Sequence, residues 1–383
     1  MMFFLISDLS VRGGTHKQFL KLIEYIDKHG IEFKIITHNI DLDNTYPGFL
    51  KFEKDIIVIK EFERNSIIGK FINYFKNYRV LKAAVSNGNI INIHDGGFEK
   101  YLGAFKGKKV YWQINDLNAC FQEGVFINRK NTFFNKLLKI YIKSNINVIT
   151  KFTVNVSKNA DRIKKHFNRH ALVFYCGIEP IGFKKDQSKT MKRFKNKQIN
   201  LLSSGVFFPY RNYETQIKVV KILKNNGIDV SLNIFGSTLF DPVYSEKIKK
   251  IIEDEDLSNS IKVLGQIDDE MFRDLHNNSD LFLFINLDQS WGLAVFEAMS
   301  CGLPVIVSEN VGATEILHNG KNSVFVNPKN DVEIAKKIMD IINDENYYHE
   351  LSNLSLKFHE NYSWDHSYCS KMLSLLNENQ ITS

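Results

Sequence analysis

Short apolar runs alternate with amphipathic stretches along most of the chain. Residues 3–6 read as a buried strand, 11–15 as a loop with two glycines, and 17–28 as a helix. That helix sets Phe19, Leu20, Ile23 and Ile26 on one side and is stopped by Gly30. Residues 32–37, 89–93, 109–114 and 148–156 are further apolar, β-branched segments of strand length. The alternation breaks at 179–198, where Glu179-Pro180-Ile181-Gly182 leads into a basic, polar run that reads as a connector. It then restarts, with strands at 199–203, 230–235, 261–264 and 281–285 and helices at 213–225, 242–252 and 269–277. Strands separated by helix-length segments predict parallel sheets with crossover helices. The expected architecture is therefore two α/β domains with a cleft between them.

The bulk numbers agree with that picture. A chain of 383 residues is long for a single core. Its 44% hydrophobic and 24% charged content is ordinary for a globular protein. The four cysteines show no metal-type spacing and read as buried thiols. The N-terminal segment lacks a basic leader and reaches Asp8 too early for a signal peptide. No run approaches the ~18 apolar residues of a membrane span. The net charge of +7 is unevenly spread. Residues 61–170 hold 20 Lys/Arg against 7 Asp/Glu, whereas 171–383 hold 22 against 28. A basic first half suggests an anionic partner. Its aromatics, among them Phe71, Tyr74, Phe75, Phe133, Phe134 and Tyr141, stand among lysines in two stretches that would lie on anionic lipid as amphipathic helices. Buried faces with lysines outside would give the same pattern. No nucleic-acid module is recognisable.

The densest information lies at 289–308, Gln-Ser-Trp-Gly-Leu-Ala-Val-Phe-Glu-Ala-Met-Ser-Cys-Gly-Leu-Pro-Val-Ile-Val-Ser. It reads as a loop, a helix with Val295, Phe296 and Met299 inward, a Gly302 stop before Pro304, and a buried strand. An acid on the helix of such a unit is how α/β proteins hold a ligand at the carboxyl edge of a sheet.

This stretch resembles the nucleotide-sugar site of retaining glycosyltransferases of the GT-B fold, family four (glycosyl transferases group 1), of bacterial surface-polysaccharide type. In that family two Glu with seven residues between them precede Ala-Met-Ala-x-Gly-x-Pro-Val. Here Glu297 is the second acid and Gln289 stands at the first. Gly13-Gly14, the 175–179 strand end, Gly205 to Asn212, and Tyr362-Ser363-Trp364 resemble other family segments. The resemblance implies a Rossmann-like acceptor domain at 1–178, a linker at 179–198, and a nucleotide-sugar domain at 199–365. A helix at 366–383 would cross back to the first domain.

The resemblance also implies roles for individual residues. Glu297 would hold the ribose hydroxyls through charge-assisted hydrogen bonds; the alternative is a helix-start acid serving the macrodipole. Gln289 would contact the donor sugar, without the charge that stabilises an oxocarbenium-like centre. Ser290, Trp291, Gly292 and Leu293 form the turn whose amides meet sugar and diphosphate, although Trp291 can simply pack beneath it. Arg211 would take the diphosphate, while the companion family Arg is replaced by Val206. Gly13 and Gly14 would let backbone approach diphosphate or acceptor. Asn115 stands where the family has a His facing acceptor and sugar, and cannot be a general base near neutral pH. His94 is the nearest alternative, with a structural role the plainer reading. Glu315 would bind the sugar or cap a helix.

The expected function is retaining transfer of a sugar from a nucleotide-diphosphate sugar to a lipid-linked saccharide acceptor in O-antigen, capsule or related polysaccharide synthesis. Gln289, Asn115 and Arg211 would be the catalytic set. No cofactor or metal is expected. The expected location is the cytoplasm, with peripheral contact at the inner face of the plasma membrane through residues 61–170. The rival readings are a non-catalytic sugar-nucleotide-binding partner subunit, favoured by Gln289, Asn115 and Val206, and a sugar-nucleotide epimerase on the same fold.

Overall fold

The computed structural model describes residues 1–60, 67–116, 121, 133–289 and 291–378, with the backbone alone for residues 67, 68, 70, 71, 133 and 134. The chain divides into two compact units, Met1–Gly177 with Trp364–Ser383, and Ile178–Ser363.

The first unit begins with β1 (Met2–Ile6), β2 (Asp8–Leu9), α1 (Gly14–Lys28), β3 (Phe33–Thr37), β4 (Asn39–Ile40) and β5 (Ile56–Val58). It continues with α2 (Ile67–Ala84), β6 (Ile90–His94), β7 (Lys109–Ile114), α3 (Phe133–Ser144), β8 (Ile149–Val154), α4 (Ser157–Phe167) and β9 (Ala171–Val173). Its seven-stranded sheet runs β5-β3-β1-β6-β7-β8-β9 with parallel pairings, and β2 and β4 pair separately. The chain steps outward from β1 to β5, then returns to β6 at the other side of β1. That reversal is a topological switch point, where the carboxyl ends of β1 and β6 open a crevice.

The second unit holds α5 (Gln187–Lys195), β10 (Gln198–Ser204), α6 (Tyr213–Asn225), β11 (Asp229–Phe235), α7 (Pro242–Asp254), β12 (Ile261–Gly265) and α8 (Asp269–Asn278). Then come β13 (Leu281–Phe284), α9 (Leu293–Ser300), β14 (Val305–Ser308), β15 (Val324–Val326), α10 (Asp331–Asn343) and α11 (Glu345–Phe358). The sheet order is β12-β11-β10-β13-β14-β15, again parallel, so its switch point lies between β10 and β13. The central strands are buried on two faces, which is why β1 and β13 are apolar throughout rather than alternating.

The strands and helices expected between residues 3 and 308 are present, with edges moved by up to three residues; of the helix expected at 366–383, residues 379–383 lie outside the described residues. Helix α1 starts at Gly14 rather than 17 because Gly13 caps it in extended conformation (φ −139°) and its first turn carries no apolar period. Helix α4 was hidden by its polarity: it buries only Asn159, Ile163 and Phe167, four residues apart.

The connector expected at 179–198 is instead part of the second unit. Met191 and Phe194 of α5 join its core. Lys185 is buried 3.7 Å from Asp280, and Arg193 grips the same carboxylate with Nε and Nη2 at 2.8 and 2.5 Å. Two cations that look solvated in sequence thus neutralise a buried acid just before β13. Burial pushes the Lys185 ammonium down to about 8 against the pull of Asp280.

The chain returns to the first unit at Trp364, two residues earlier than the predicted crossing helix. A side chain on Gly177 would fall 2.3 Å from the Trp364 Cα, so only glycine lets the two segments touch. A π turn at Asp365–Cys369 runs into α12 (Ser370–Asn377), which buries Met372, Leu375 and Leu376.

Candidate functional site

At the switch point of the second unit, two turns converge on one aromatic ring. Strand β10 ends at Gly205, whose φ of +147° and contacts exclude a side chain: a Cβ would lie 2.6 Å from Cζ of Arg211. Gly236, after β11, packs on the Gly205 backbone in the same way: a Cβ there would lie 2.2 Å from the Gly205 oxygen. The Arg211 guanidinium sits over the rings of Tyr210 at 5.2 Å and Phe284 at 5.8 Å. Gly292 (φ +106°) packs on Phe284 from the 289–292 loop, where a Cβ would stand 2.8 Å from the ring. Phe284 is thus a common floor for the Arg211 turn and the loop that starts α9.

Hydrogen bonds to backbone carbonyls fix these turns. The Leu287 N–H donates to Tyr210 O at 2.8 Å. Asn212, itself left-handed at φ 57°, donates from Nδ2 to Ile285 O at 3.2 Å and Pro328 O at 2.8 Å. The N–H groups of Gly312 and Ala313 donate to Gln289 O and Trp291 O, each at 3.0 Å.

Three buried polar atoms in this crevice have no hydrogen-bond partner: Arg211 Nε, Asn286 Nδ2 and Gln289 Oε1. Buried polar atoms are nearly always paired. Two donors and an acceptor left open on the converging turns are what a polyhydroxylated, anionic ligand would use. Asn286, 2% exposed at the end of β13, was missed by sequence reading. Its signal was a polar residue directly after an apolar strand, three before Gln289.

Glu297 is not at the helix start. Helix α9 begins at Leu293, so Glu297 falls in the second turn, beyond the N-terminal orphan amides, and the macrodipole alternative loses its basis. Leu293, Ala294 and Glu297 form the part-exposed stripe of an otherwise buried helix. Trp291 is 3% exposed and stacked on Phe296 at 5.0 Å, so its indole supports the loop from below. Ser290 lies outside the described residues. Val206 adds no charge beside Gly205. Glu315 is exposed and closes the 3₁₀ turn Gly312–Glu315.

In the first unit, Gly13 and Gly14 open α1 beside the end of β1, at the second switch point. Asn115 follows β7 and is held from within. Its Nδ2 donates to Thr15 Oγ1 at 3.2 Å and Gln18 Oε1 at 2.7 Å, and its Oδ1 accepts from Gln113 Nε2 at 3.0 Å. Both amide N–H groups are therefore used inside the fold, and one acceptor lone pair remains for a ligand. His94 is buried against Phe19 at 5.0 Å and held neutral, its pKa pushed down to about 3 by burial and by His16. Its neighbour Asp95 is the residue sequence reading passed over. It is left-handed (φ 65°) and follows β6 at the switch point; burial first, then the Asp116 charge, push its carboxyl up to about 7. The Asp95-Gly96-Gly97 run after an apolar strand was the available signal. No cluster of His, Cys, Asp and Glu that could hold a metal occurs among the described residues.

Residues 184–357 match the family described as glycosyl transferases group 1. Sucrose synthase 6 of Oryza sativa subsp. japonica is 30% identical over 165 residues, 38% of this chain and 19% of that protein. The chain spans less than a third of the length of the first curated relatives it matches. Among solved structures, Anabaena HepE in complex with UDP and glucose superposes with a TM-score of 0.74 at 15% identity, over 98% of this chain and 99% of its own. WaaG, a glycosyltransferase involved in lipopolysaccharide biosynthesis, does so with a TM-score of 0.73 at 13% identity, over 98% and 99%. The fold is therefore that of the GT-B glycosyltransferases.

Proposed function

We propose that the chain is a glycosyltransferase that moves a sugar from a nucleotide-diphosphate sugar to a saccharide acceptor with retention at the anomeric carbon. The observation that carries this reading is the second-unit crevice, where Arg211, Asn286 and Gln289 leave buried polar atoms unpaired on turns joined at Phe284. HepE, solved with UDP and glucose, supports the donor class. Arg211 would take the diphosphate as it leaves, Glu297 the ribose hydroxyls, and Asn286 with Gln289 the sugar hydroxyls. The bond from anomeric carbon to diphosphate oxygen breaks while the acceptor oxygen bonds the same face. The acceptor proton passes to the departing diphosphate, so Asn115 need not act as a base. The first unit would hold the acceptor, a lipid-linked glycan in polysaccharide assembly; WaaG, acting in lipopolysaccharide biosynthesis, supports that setting. Charge on the leaving group would be met by Arg211 and backbone amides without a bound metal.

A donor screen that follows nucleoside-diphosphate release with lipid-linked acceptors tests the reading. Release with one donor class, unchanged by EDTA, is the expected outcome. Donor binding without release from any donor would favour the second reading, a binding subunit. That reading has its own support in the neutral Gln289, the uncharged Val206 and the Asn115 amide bound inward.

A further inference from the structure

Where α1 meets the first sheet, the buried side chains are polar. Gln18 of α1, Gln113 of β7, Thr153 of β8 and Tyr368 of the returning segment are all fully buried. The parallel register sets Thr153 beside Gln113. Thr153 Oγ1 donates to Gln113 Oε1 at 2.7 Å, and the Tyr368 hydroxyl donates to the same oxygen at 3.5 Å. Gln113 Nε2 donates to Asn115 Oδ1 at 3.0 Å, Asn115 Nδ2 to Gln18 Oε1 at 2.7 Å, and Gln18 Nε2 to Cys176 Sγ at 3.4 Å. Three amides thus run head to tail, with Asn115 in the middle.

The sense of this chain is fixed. An amide turned over exchanges its oxygen for its NH2. Turning Asn115 alone would set NH2 against NH2 at Gln113 and oxygen against oxygen at Gln18. Turning all three amides would leave the buried hydroxyl protons of Thr153 and Tyr368 facing a donor, and buried donors are rarely left unpaired. The two hydroxyls therefore set the direction. Asn115 spends both N–H groups inside the fold and has one Oδ1 lone pair to offer a ligand. Burial raises both the Tyr368 phenol and the Cys176 thiol, so the chain is uncharged near neutral pH.

Granted the transfer reading, in which Asn115 meets a saccharide, we propose that Gln113 and Gln18 are positioning residues that hold the Asn115 amide as a pure acceptor, taking a hydrogen bond from a substrate hydroxyl and giving none. A substrate with a methoxy group in place of that hydroxyl would set lone pair against lone pair and be rejected.

The test replaces each amide by the isosteric carboxyl, Q113E and Q18E, and follows kcat and the KM of donor and acceptor against pH, as ratios to wild type. Burial would raise a carboxyl at either position from about 4.3 towards neutrality. A protonated Glu at 113 still donates to Asn115 Oδ1; once ionised it only accepts, and Asn115 has to turn. At 18 both forms accept from Asn115 Nδ2. In Q113E the KM of one substrate should therefore climb about tenfold relative to wild type as pH rises, with kcat changed less, while the Q18E ratio stays flat. A rise in the acceptor KM places the hydroxyl on the acceptor; a rise in the donor KM places it on the donor sugar. T153V/Y368F, which removes only the two hydroxyls, should raise the same KM at every pH, and it decides if Q113E fails to fold by circular dichroism. A flat Q113E ratio, Q18E and Q113E falling together, or wild-type KM values in T153V/Y368F would overturn the proposal, since a buried charge that only disturbs packing acts alike at both positions. If wild type releases no nucleoside diphosphate, the transfer reading fails by itself. The positioning is then read from melting temperatures: Q113E should fall further below Q18E as pH rises, and equal shifts would overturn it.

Discussion

Glu297 stands on the one stripe of α9 that solvent reaches, and its carboxylate is the strongest acceptor offered by the 289–308 segment. Replacing it with Ala should weaken donor binding by roughly 1.5–3 kcal/mol, the range for a hydrogen bond to a charged group. Calorimetric titration with the donor, beside an unchanged melting temperature, checks this; an unaltered Kd would remove Glu297 from the site. Asp95 makes a prediction about pH. Its folded pKa is about 7 against 3.8 unfolded, so the folded state binds more protons between those values. Its contribution is present below about 4 and lost as pH rises through 7. Asp95→Asn should therefore gain stability over wild type as pH rises from 4 to 7, by at most about 1.4 kcal/mol per pH unit. Urea midpoints at several pH values measure it, and a pH-independent difference would show that Asp95 ionises normally. His94 works in the opposite sense. Its folded pKa of about 3 lies below the unfolded 6.5, so its contribution is lost as pH falls through that window.

At the scale of elements, the site depends on glycines that let turns touch. Gly205→Ala would put a methyl group 2.6 Å from the Arg211 guanidinium at a left-handed φ, and the Arg211 turn would have to leave Phe284. Affinity for a nucleoside diphosphate should fall by roughly 1.5–3 kcal/mol, as for a lost charged hydrogen bond, with retention of helical circular dichroism. Wild-type affinity would show that Arg211 does not reach the phosphate. Much of this was legible in advance. Gly292 and Gly302 bracket α9 in the sequence, and Gly205 stands six residues before Arg211. The Phe284 floor was not legible, because it is made by a strand residue some 70 positions from the cation it carries. Asn115 shows the same limit: its spacing marks a crevice residue, but only the fold reveals Thr15, Gln18 and Gln113 around its amide.

For the whole molecule, the last segment belongs to the first unit and not to the one it follows. Trp364, Tyr368, Met372, Leu375 and Leu376 are all buried there. Deleting 364–383 should unfold the first unit and leave the second folded, because α5 to α11 keep their own core. Calorimetry should then show one transition lost and one kept; retention of both would mean that the terminal segment is dispensable. No helix among the described residues is long and apolar enough to cross a membrane.

The sequence alone determined the period of each element, because burial on one or both faces writes a regular apolar pattern. It therefore determined two parallel α/β units and the loop–helix–strand that carries Glu297. It also held the charge asymmetry, since composition needs no fold. Tertiary structure alone decided which charges are neutralised and which groups stay open. Lys185 and Arg193 meet Asp280, Asn115 turns inward, and Arg211, Asn286 and Gln289 are left with unpaired atoms. These outcomes depend on partners brought close by sheet order, and electrostatic and hydrogen-bond energies fall off within a few ångströms that no spacing along a chain encodes.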